Sequence, residues 1–363
     1  MAVFRTLPRR RKRSNFHTFA LIFLYVFWSE FLALHLKALL WKMPEKLDDS
    51  IRLLLVADPQ LIGYRHENKW IGSVSRWDSD RYMRRAFSKA YTAADPDFVL
   101  FMGDLFDEGV QMRSNIEEFE WTLQRFKSVF QMENRTNKVY IAGDNDIGGE
   151  SEVTSPMLQD RFDRAFPVQL NGPKGKMFEF SQINLFDDGK VHKMADGKNL
   201  KLLLSHVPVI RAMQSVDQMF GNYRPDLIIS AHDHTAEYYV KKTHSQQFTR
   251  HEAAKGLRFS ISTGMPLVEI QVPTISYRMG VPNMAIGLLQ ISFEGGVGKA
   301  AVVEYENWWL PGRYPQLYGY LILLTLVLLY HFGSYLYPVA KLLRLDIVYR
   351  RFFVRTTHKY VPV

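Results

Sequence analysis

Two apolar runs of 21 residues stand near the ends of the chain, and five much shorter ones lie between them. The first long run, residues 16–36, reads FHTFALIFLYVFWSEFLALHL, with Glu30 as its only acid. The second, residues 317–337, reads LYGYLILLTLVLLYHFGSYLY and contains no Asp, Glu, Lys or Arg. At 1.5 Å per residue each is long enough to cross a hydrocarbon core of about 30 Å. Trp41, Tyr314, Tyr318 and Tyr337 flank the runs as an interfacial aromatic belt would. The short runs, 51–57, 98–102, 139–142, 200–205 and 227–230, have strand length, and each stops at a polar residue with Gly, Pro or Ser nearby. Between them, helical spacing is predicted over 81–94, ended by Asp95-Pro96-Asp97. A second helix is predicted over 117–130, where Phe119, Leu123, Phe126 and Phe130 share a face. Strands alternating with helices imply a βαβ sheet, hence an α/β class.

Charge reinforces this division. The net charge of +9 would ordinarily suggest nucleic acid. It is concentrated at the ends: residues 1–13 carry six Lys and Arg without an acid, and residues 338–363 carry six against Asp346. The remainder sums to −2, so a nucleic-acid partner is not expected. Lys and Arg mark the cytoplasmic side of a span, which puts both tails in the cytosol and the stretch between the spans on the other side. The expected organisation is a basic tail at 1–15, a transmembrane signal anchor at 16–40, a lumenal domain at 41–313, a transmembrane helix at 314–337 and a basic tail at 338–363. Glu30 is costly in lipid; opposite chain directions separate it from His331, so it is expected to face water, a headgroup or another subunit. Asn134-Arg135-Thr136 is a sequon, as suits a lumenal domain. Cysteine is absent, which excludes disulfides, zinc–thiolate sites and thiol nucleophiles.

Ligands on parallel sheets gather outside the carboxyl ends of the strands. Here those ends present Asp58-x-Gln60, Gly103-Asp104-x-x-Asp107, Gly143-Asp144-Asn145-Asp146, Ser205-His206 and His232-Asp233-His234. Carboxylate, amide and imidazole groups suit Mn, Fe, Zn or Mg. Two such ions held close together clamp a phosphoryl group and activate water.

In this order the motifs resemble the calcineurin-like metallophosphoesterase superfamily, over roughly residues 51–240. The resemblance implies a four-layer sandwich of two mixed sheets flanked by helices. It implies that Asp104 bridges two divalent ions, most simply manganese, with iron or zinc as alternatives. Asp58, Gln60 and His234 would hold the first ion and Asp144, His206 and His232 the second. Asp107 and Asp146 would orient ligands or cap the loop, and the catalytic positions would be Asp104, Asn145 and His232. Three positions depart from the superfamily pattern: Gln60 stands for His, Asp144 for Asn, and Asn145 for the His that serves as general acid. Asn145 has no proton to give a leaving alkoxide. A one-residue shift would make it the metal ligand in place of Asp144, and both assignments stand at this point. His66 and His192 are substitute acids to consider.

The two flanking runs, the segment GDLFDEG at 103–109 and VPTISYR at 272–278 resemble the membrane-anchored branch of that superfamily. Its activity is removal of ethanolamine phosphate from GPI anchors in the ER and Golgi. That resemblance implies a lumenal phosphodiesterase with a GPI glycolipid or GPI-anchored protein as substrate. The alternatives are another lumenal phosphoesterase acting on lipids or nucleotides, and a membrane scaffold on a weakened enzyme fold.

Overall fold

The computed structural model describes residues 10–332, apart from 48, 151, 188, 198–199, 213–219, 221–222, 243–246, 263–264 and 294–299. The tail at 338–363, positions 333–337 of the second apolar run and most of the first tail lie outside the described residues. The chain divides into two compact units. One is Leu34–Pro311; the other combines the segments up to Ala33 and from Gly312.

Helix α1 (Arg10–Phe27) continues through a π-turn (Trp28–Leu32) into α2 (Ala33–Ala38). Then follow β1 (Ser50–Val56), α3 (Gly72–Ala94), β2 (Phe98–Met102), α4 (Ile116–Val129), β3 (Asn137–Ile141), α5 (Asp144–Ile147) and α6 (Pro156–Ala165). The second half comprises β4 (Phe178–Ile183), β5 (Val191–Ala195), β6 (Leu200–Ser205), α7 (Val209–Ala212), β7 (Leu227–Ser230) and β8 (Glu237–Lys241). It closes with β9 (Phe248–Glu252), β10 (Leu257–Ile261), β11 (Leu267–Gln271), β12 (Ala285–Phe293), β13 (Ala301–Trp309) and α8 (Arg313–Phe332).

The strands form two mixed sheets, ordered β10-β13-β12-β1-β2-β3 and β5-β4-β6-β7-β11-β8-β9. Strands β1, β2 and β3 are mutually parallel, as are β4, β6, β7 and β11, so their carboxyl ends fall together within each sheet. The two-residue period of β1 explains the layering. Leu53 and Leu55 pack between the sheets with Phe98, Phe178 and Leu202, while Leu54 and Val56 pack outward against Met83 and Phe87 of α3. On the far face of the second sheet, Leu203 and Ile228 pack against Val209 and Ile210 of α7. The layers are thus helices, sheet, sheet and helix, as expected. Asp95 ends α3 in the left-handed region at φ 42°, its amide capping the Tyr91 carbonyl. The sequon's Asn134 is exposed.

In the terminal unit, α1 and α8 run antiparallel. Thr18 Oγ1 lies 3.2 Å from His331 Nε2, and the Tyr25 hydroxyl donates to the Gln316 carbonyl at 2.9 Å. Gly319 leaves the space that Tyr25 fills. Among the described residues one helix, Phe16–Ala38, is long and apolar enough to cross a membrane, with a mean hydropathy of 1.8. A second span is not shown: α8 covers the second apolar run only as far as Phe332. Glu30 departs from expectation. It is buried, with Oε1 2.9 Å from Arg313 Nη1 and accepting the Tyr320 hydroxyl at 2.7 Å. Its partner lies just before the second apolar run and 283 residues along the chain, so neither run on its own reveals the pair.

Candidate metal centre

Each motif occupies the turn that leaves a parallel strand. Asp58 follows β1, Asp104 follows β2, Asp144 opens α5 after β3, His206 follows β6 and His232 follows β7. Among the described residues six non-glycine positions have positive φ, and five belong to this set: Asp58 (46°), Gln60 (40°), Asp104 (51°), His232 (71°) and His234 (63°). One left-handed residue turns the chain sharply out of its strand and lets side chains from different strands converge. Asp and His accept that region more readily than most residues, and such strain clusters at functional sites. Two glycines permit the close approach. A Cβ on Gly103 would collide with the His206 ring, and one on Gly143 with the Asp104 carboxylate.

Two groups of ligand atoms result, one from Asp58, Asp104 and His206, the other from Asp144, His206 and His232, each within 4.8 Å. His206 Nε2 is 3.4 Å from Asp104 Oδ1 and 3.2 Å from Asp144 Oδ1, and His232 Nδ1 is 3.2 Å from the same Asp144 oxygen. His206 Nδ1 lies 2.8 Å from the Met102 carbonyl, which orients the ring. His234 joins neither group, although its ring feels the charge of Asp104 and of both other histidines.

Asp144, and not Asn145, therefore stands with the two histidines. Asn145 instead donates its backbone N–H to Asp104 Oδ1 at 3.0 Å and its amide Nδ2 to Asp104 Oδ2 at 2.9 Å. Gln60 Nε2 donates to the same Oδ2 at 2.9 Å, so its amide must turn over to offer an oxygen to a metal. Asp146 accepts from the N–H groups of Gly143, Leu105 and Phe106 at 3.0–3.1 Å, which ties the two aspartate loops together as expected.

Asp107 joins neither of these two ligand groups. Its ligand atoms cluster with those of His66 and Glu108, on the loops that leave Gln60 and Asp104. The two loops pair through Gln60 N–H to Asp104 O and Leu61 N–H to Leu105 O, and the Asp107 N–H then turns back to Leu61 O. That pairing carries Asp107 away from the ligand groups. His192 lies on the edge strand β5. Glu108 carried no signal in its spacing, yet it is fully buried and accepts the N–H groups of Tyr64, Arg65 and His66.

The electrostatics fit a cation site. Both Asp58 oxygens are buried without a hydrogen-bond partner. Burial pushes Asp58 up to about 8, with the Asp104 charge adding to it and His206 opposing. Burial and then Asp104 push Asp146 to about 7. Burial also opposes ionised Asp144, yet His206 and His232 hold its pKa below the usual carboxylate value. His206 is likewise penalised by burial, but Asp104, Asp144 and Asp58 hold it well above its ordinary value. The Asp144 hydrogen bond raises His232, and burial lowers His234. Buried carboxylates crowded this closely, two oxygens of them orphaned, are the donor set that divalent cations satisfy.

An α/β sandwich presenting aspartates and histidines from converging strand ends is the architecture of metal-dependent phosphoesterases. The family model for the calcineurin-like phosphoesterase matches residues 51–236, and the chain belongs to that family. Metallophosphoesterase 1 of Danio rerio is 32% identical over 155 residues, covering 41% of this chain and 38% of that protein. The Metallophosphoesterase 1 homolog of Drosophila melanogaster is 28% identical over 157 residues, covering 43% and 39%. That of Ailuropoda melanoleuca is 27% identical over 199 residues, covering 53% and 47%. The chain therefore spans less than half the length of these curated relatives. Among solved structures, a metallophosphoesterase from Sphaerobacter thermophilus is 11% identical with a TM-score of 0.36, covering 71% of this chain and 88% of that one. A dimetal phosphatase from Danio rerio is 13% identical with a TM-score of 0.33, covering 71% and 98%. Likeness at those scores carries nothing further.

Proposed function

We propose that this chain is a membrane-anchored dimetal phosphodiesterase that removes ethanolamine phosphate from the GPI glycan. The observation that carries the chemistry is the pair of ligand groups sharing His206, with Asp104 beside it. In this reading Asp58 and Asp104, with Gln60 and His234 alongside, hold one divalent ion, and Asp144, His206 and His232 hold the other. Asp104 bridges. When bound, the ions supply Lewis-acid stabilisation of the phosphoryl group and a nucleophile from water at neutral pH. Manganese suits a set of oxygen and imidazole donors. Asn145 and Gln60 hold both Asp104 oxygens by donating to them, which fixes the carboxylate plane. Asp146 holds the loops in register, and His232 faces the substrate as a donor to phosphoryl oxygen. Asp144 adds a negative charge that strengthens cation binding and repels an anionic substrate, a balance better suited to a singly charged diester than to a monoester dianion.

The GPI substrate draws support from the relatives named Metallophosphoesterase 1 and from the apolar N-terminal helix. In this reading α8 completes a second span, both tails are cytosolic, and the sandwich faces the ER or Golgi lumen. A membrane tether raises the effective concentration of a substrate confined to the same leaflet.

The full chain, purified with manganese, should hydrolyse bis-p-nitrophenyl phosphate, and Asp104→Asn should abolish both turnover and the binding of two metal equivalents. Cells lacking the protein should retain an extra ethanolamine phosphate on their GPI anchors, read by mass spectrometry. Anchors of normal structure from active enzyme would leave another lumenal phosphoester as substrate. A purified chain that binds no metal would leave the scaffold reading.

A further inference from the structure

The start of α3 carries an apolar stripe that points away from the protein. Trp70 is 91% exposed, Ile71 59%, Val74 62% and Trp77 61%. Trp70 and Ile71 lie in the turn that leads into α3, and Val74 and Trp77 follow on its first turns. The opposite face of α3 buries Met83, Ala86, Phe87 and Ala90 in the core, so the stripe is not needed to fold the helix. A contiguous patch of this kind marks an interaction site.

Cationic side chains border the stripe. Lys69 is exposed, Arg76 stacks on the half-exposed Tyr64 ring at 4.2 Å, and Arg81 lies 5.5 Å from the Trp77 ring. Two nearby acids pair with cations of other segments, Asp80 with Arg125 and Glu67 with Arg278. Tryptophan and aliphatic side chains ringed by Lys and Arg are the composition of a surface lying in the headgroup region of a bilayer.

We propose that this stripe is a membrane-contact surface, with Trp70, Ile71, Val74 and Trp77 entering the headgroup boundary and Lys69, Arg76 and Arg81 meeting lipid phosphates. The same chain carries a helix long and apolar enough to cross a membrane, so a bilayer is within reach at high effective concentration. The stripe is also joined to the metal centre. The loop that leaves Gln60 is held by Glu108, which accepts three of its N–H groups, and Arg76 donates to the Gly63 carbonyl. Contact there sets the lipid surface against the loop that leaves Gln60, which deepens the proposed function: the scissile diester is presented from the membrane and need not leave it. The contact rests on the anchored reading and is independent of the hydrolytic chemistry.

The 363-residue sequence has no cysteine, so one introduced thiol gives one label. Full-length protein with Val74→Cys, nitroxide-labelled, is placed in nanodiscs of phosphatidylcholine and phosphatidylserine. Collisional relaxation by oxygen and by a water-soluble nickel chelate is compared with that of Val153→Cys, an exposed position outside the stripe. The expected result is oxygen-dominated relaxation at 74 and nickel-dominated relaxation at 153, with Trp70→Glu plus Trp77→Glu returning position 74 to the nickel-dominated state. Nickel-dominated relaxation at 74 in discs that retain the protein overturns the contact and leaves the anchor standing. Spin–spin broadening at 74 that disappears on dilution with unlabelled protein assigns the stripe to a second copy and overturns it too. A chain that leaves the discs altogether overturns the anchor and the contact together.

Discussion

Asp58→Asn should make the metal-free protein more stable, the opposite of what most substitutions in a buried site do. Both oxygens of Asp58 are buried without a hydrogen-bond partner, and burial raises its pKa from 3.8 to about 8. The sign follows from linkage. In the unfolded chain the group ionises near 3.8, whereas in the metal-free fold it keeps its proton until about pH 8. Its penalty is therefore absent below the unfolded pKa, grows as pH rises between the two values, and is constant above the folded one. At pH 7 the group has crossed about three pH units of that window, a ceiling of roughly 4 kcal/mol. Asparagine removes the charge but buries amide donors that cost about 1–3 kcal/mol if left unpaired. The net gain is on the order of 2 kcal/mol, which at about 2–4 °C per kcal/mol raises Tm by roughly 4–8 °C. Tryptophan fluorescence of chelator-treated protein on heating measures it. Manganese should raise the wild-type Tm and leave that of the variant almost unchanged. A metal-free variant that melts at or below wild type at pH 7, or a gap that fails to shrink at pH 5, would refute the reasoning.

Three further outcomes are expected. Asn145→His places a proton donor against the centre and should speed hydrolysis of alkyl diesters, whose leaving groups need protonation, by up to about 10²-fold or more, with little effect on nitrophenyl esters. Asp146→Ala leaves three buried N–H groups without their acceptor and should lower stability by at least about 3 kcal/mol and weaken metal binding, measured by denaturation and by metal titration. Arg313→Met strands the buried Glu30 carboxylate and should destabilise the helix pair by about 3–5 kcal/mol, whereas Arg313→Met with Glu30→Leu should recover most of that loss. A double variant as unstable as the single one, in a thermal scan of protein in detergent, would show that the ion pair is not what the single change breaks.

The strands that were legible in the sequence are those buried on both faces. Residues 98–102, 200–205 and 227–230 read as mainly apolar runs because one side meets the other sheet and the opposite side meets helices. β9 is exposed throughout, β5 has no fully buried position, and neither has an apolar run, so pairing with their neighbours is what makes them strands. Helix α3 begins at Gly72, nine residues before its core-facing periodicity becomes visible, because Val74 and Trp77 of its first turns face outward. At the metal centre the residue types and their strand-end positions were readable. The choice between Asp144 and Asn145 was not, since it depends on which side chain the turn into α5 aims at His206. Glu108 was equally hidden: its three donors lie more than 40 residues away in the chain.

The antiparallel pairing of α1 and α8 has a mechanical consequence. Thr18 meets His331 towards one end of the pair, and Glu30 meets Arg313 at the other. Tension applied between the two ends of the chain therefore acts as on a zipper and not as shear across the whole seam. Contacts would part singly, from Thr18–His331 through Tyr25–Tyr320 to the ion pair. Among the described contacts of the helix pair, the ion pair is thus the last to part.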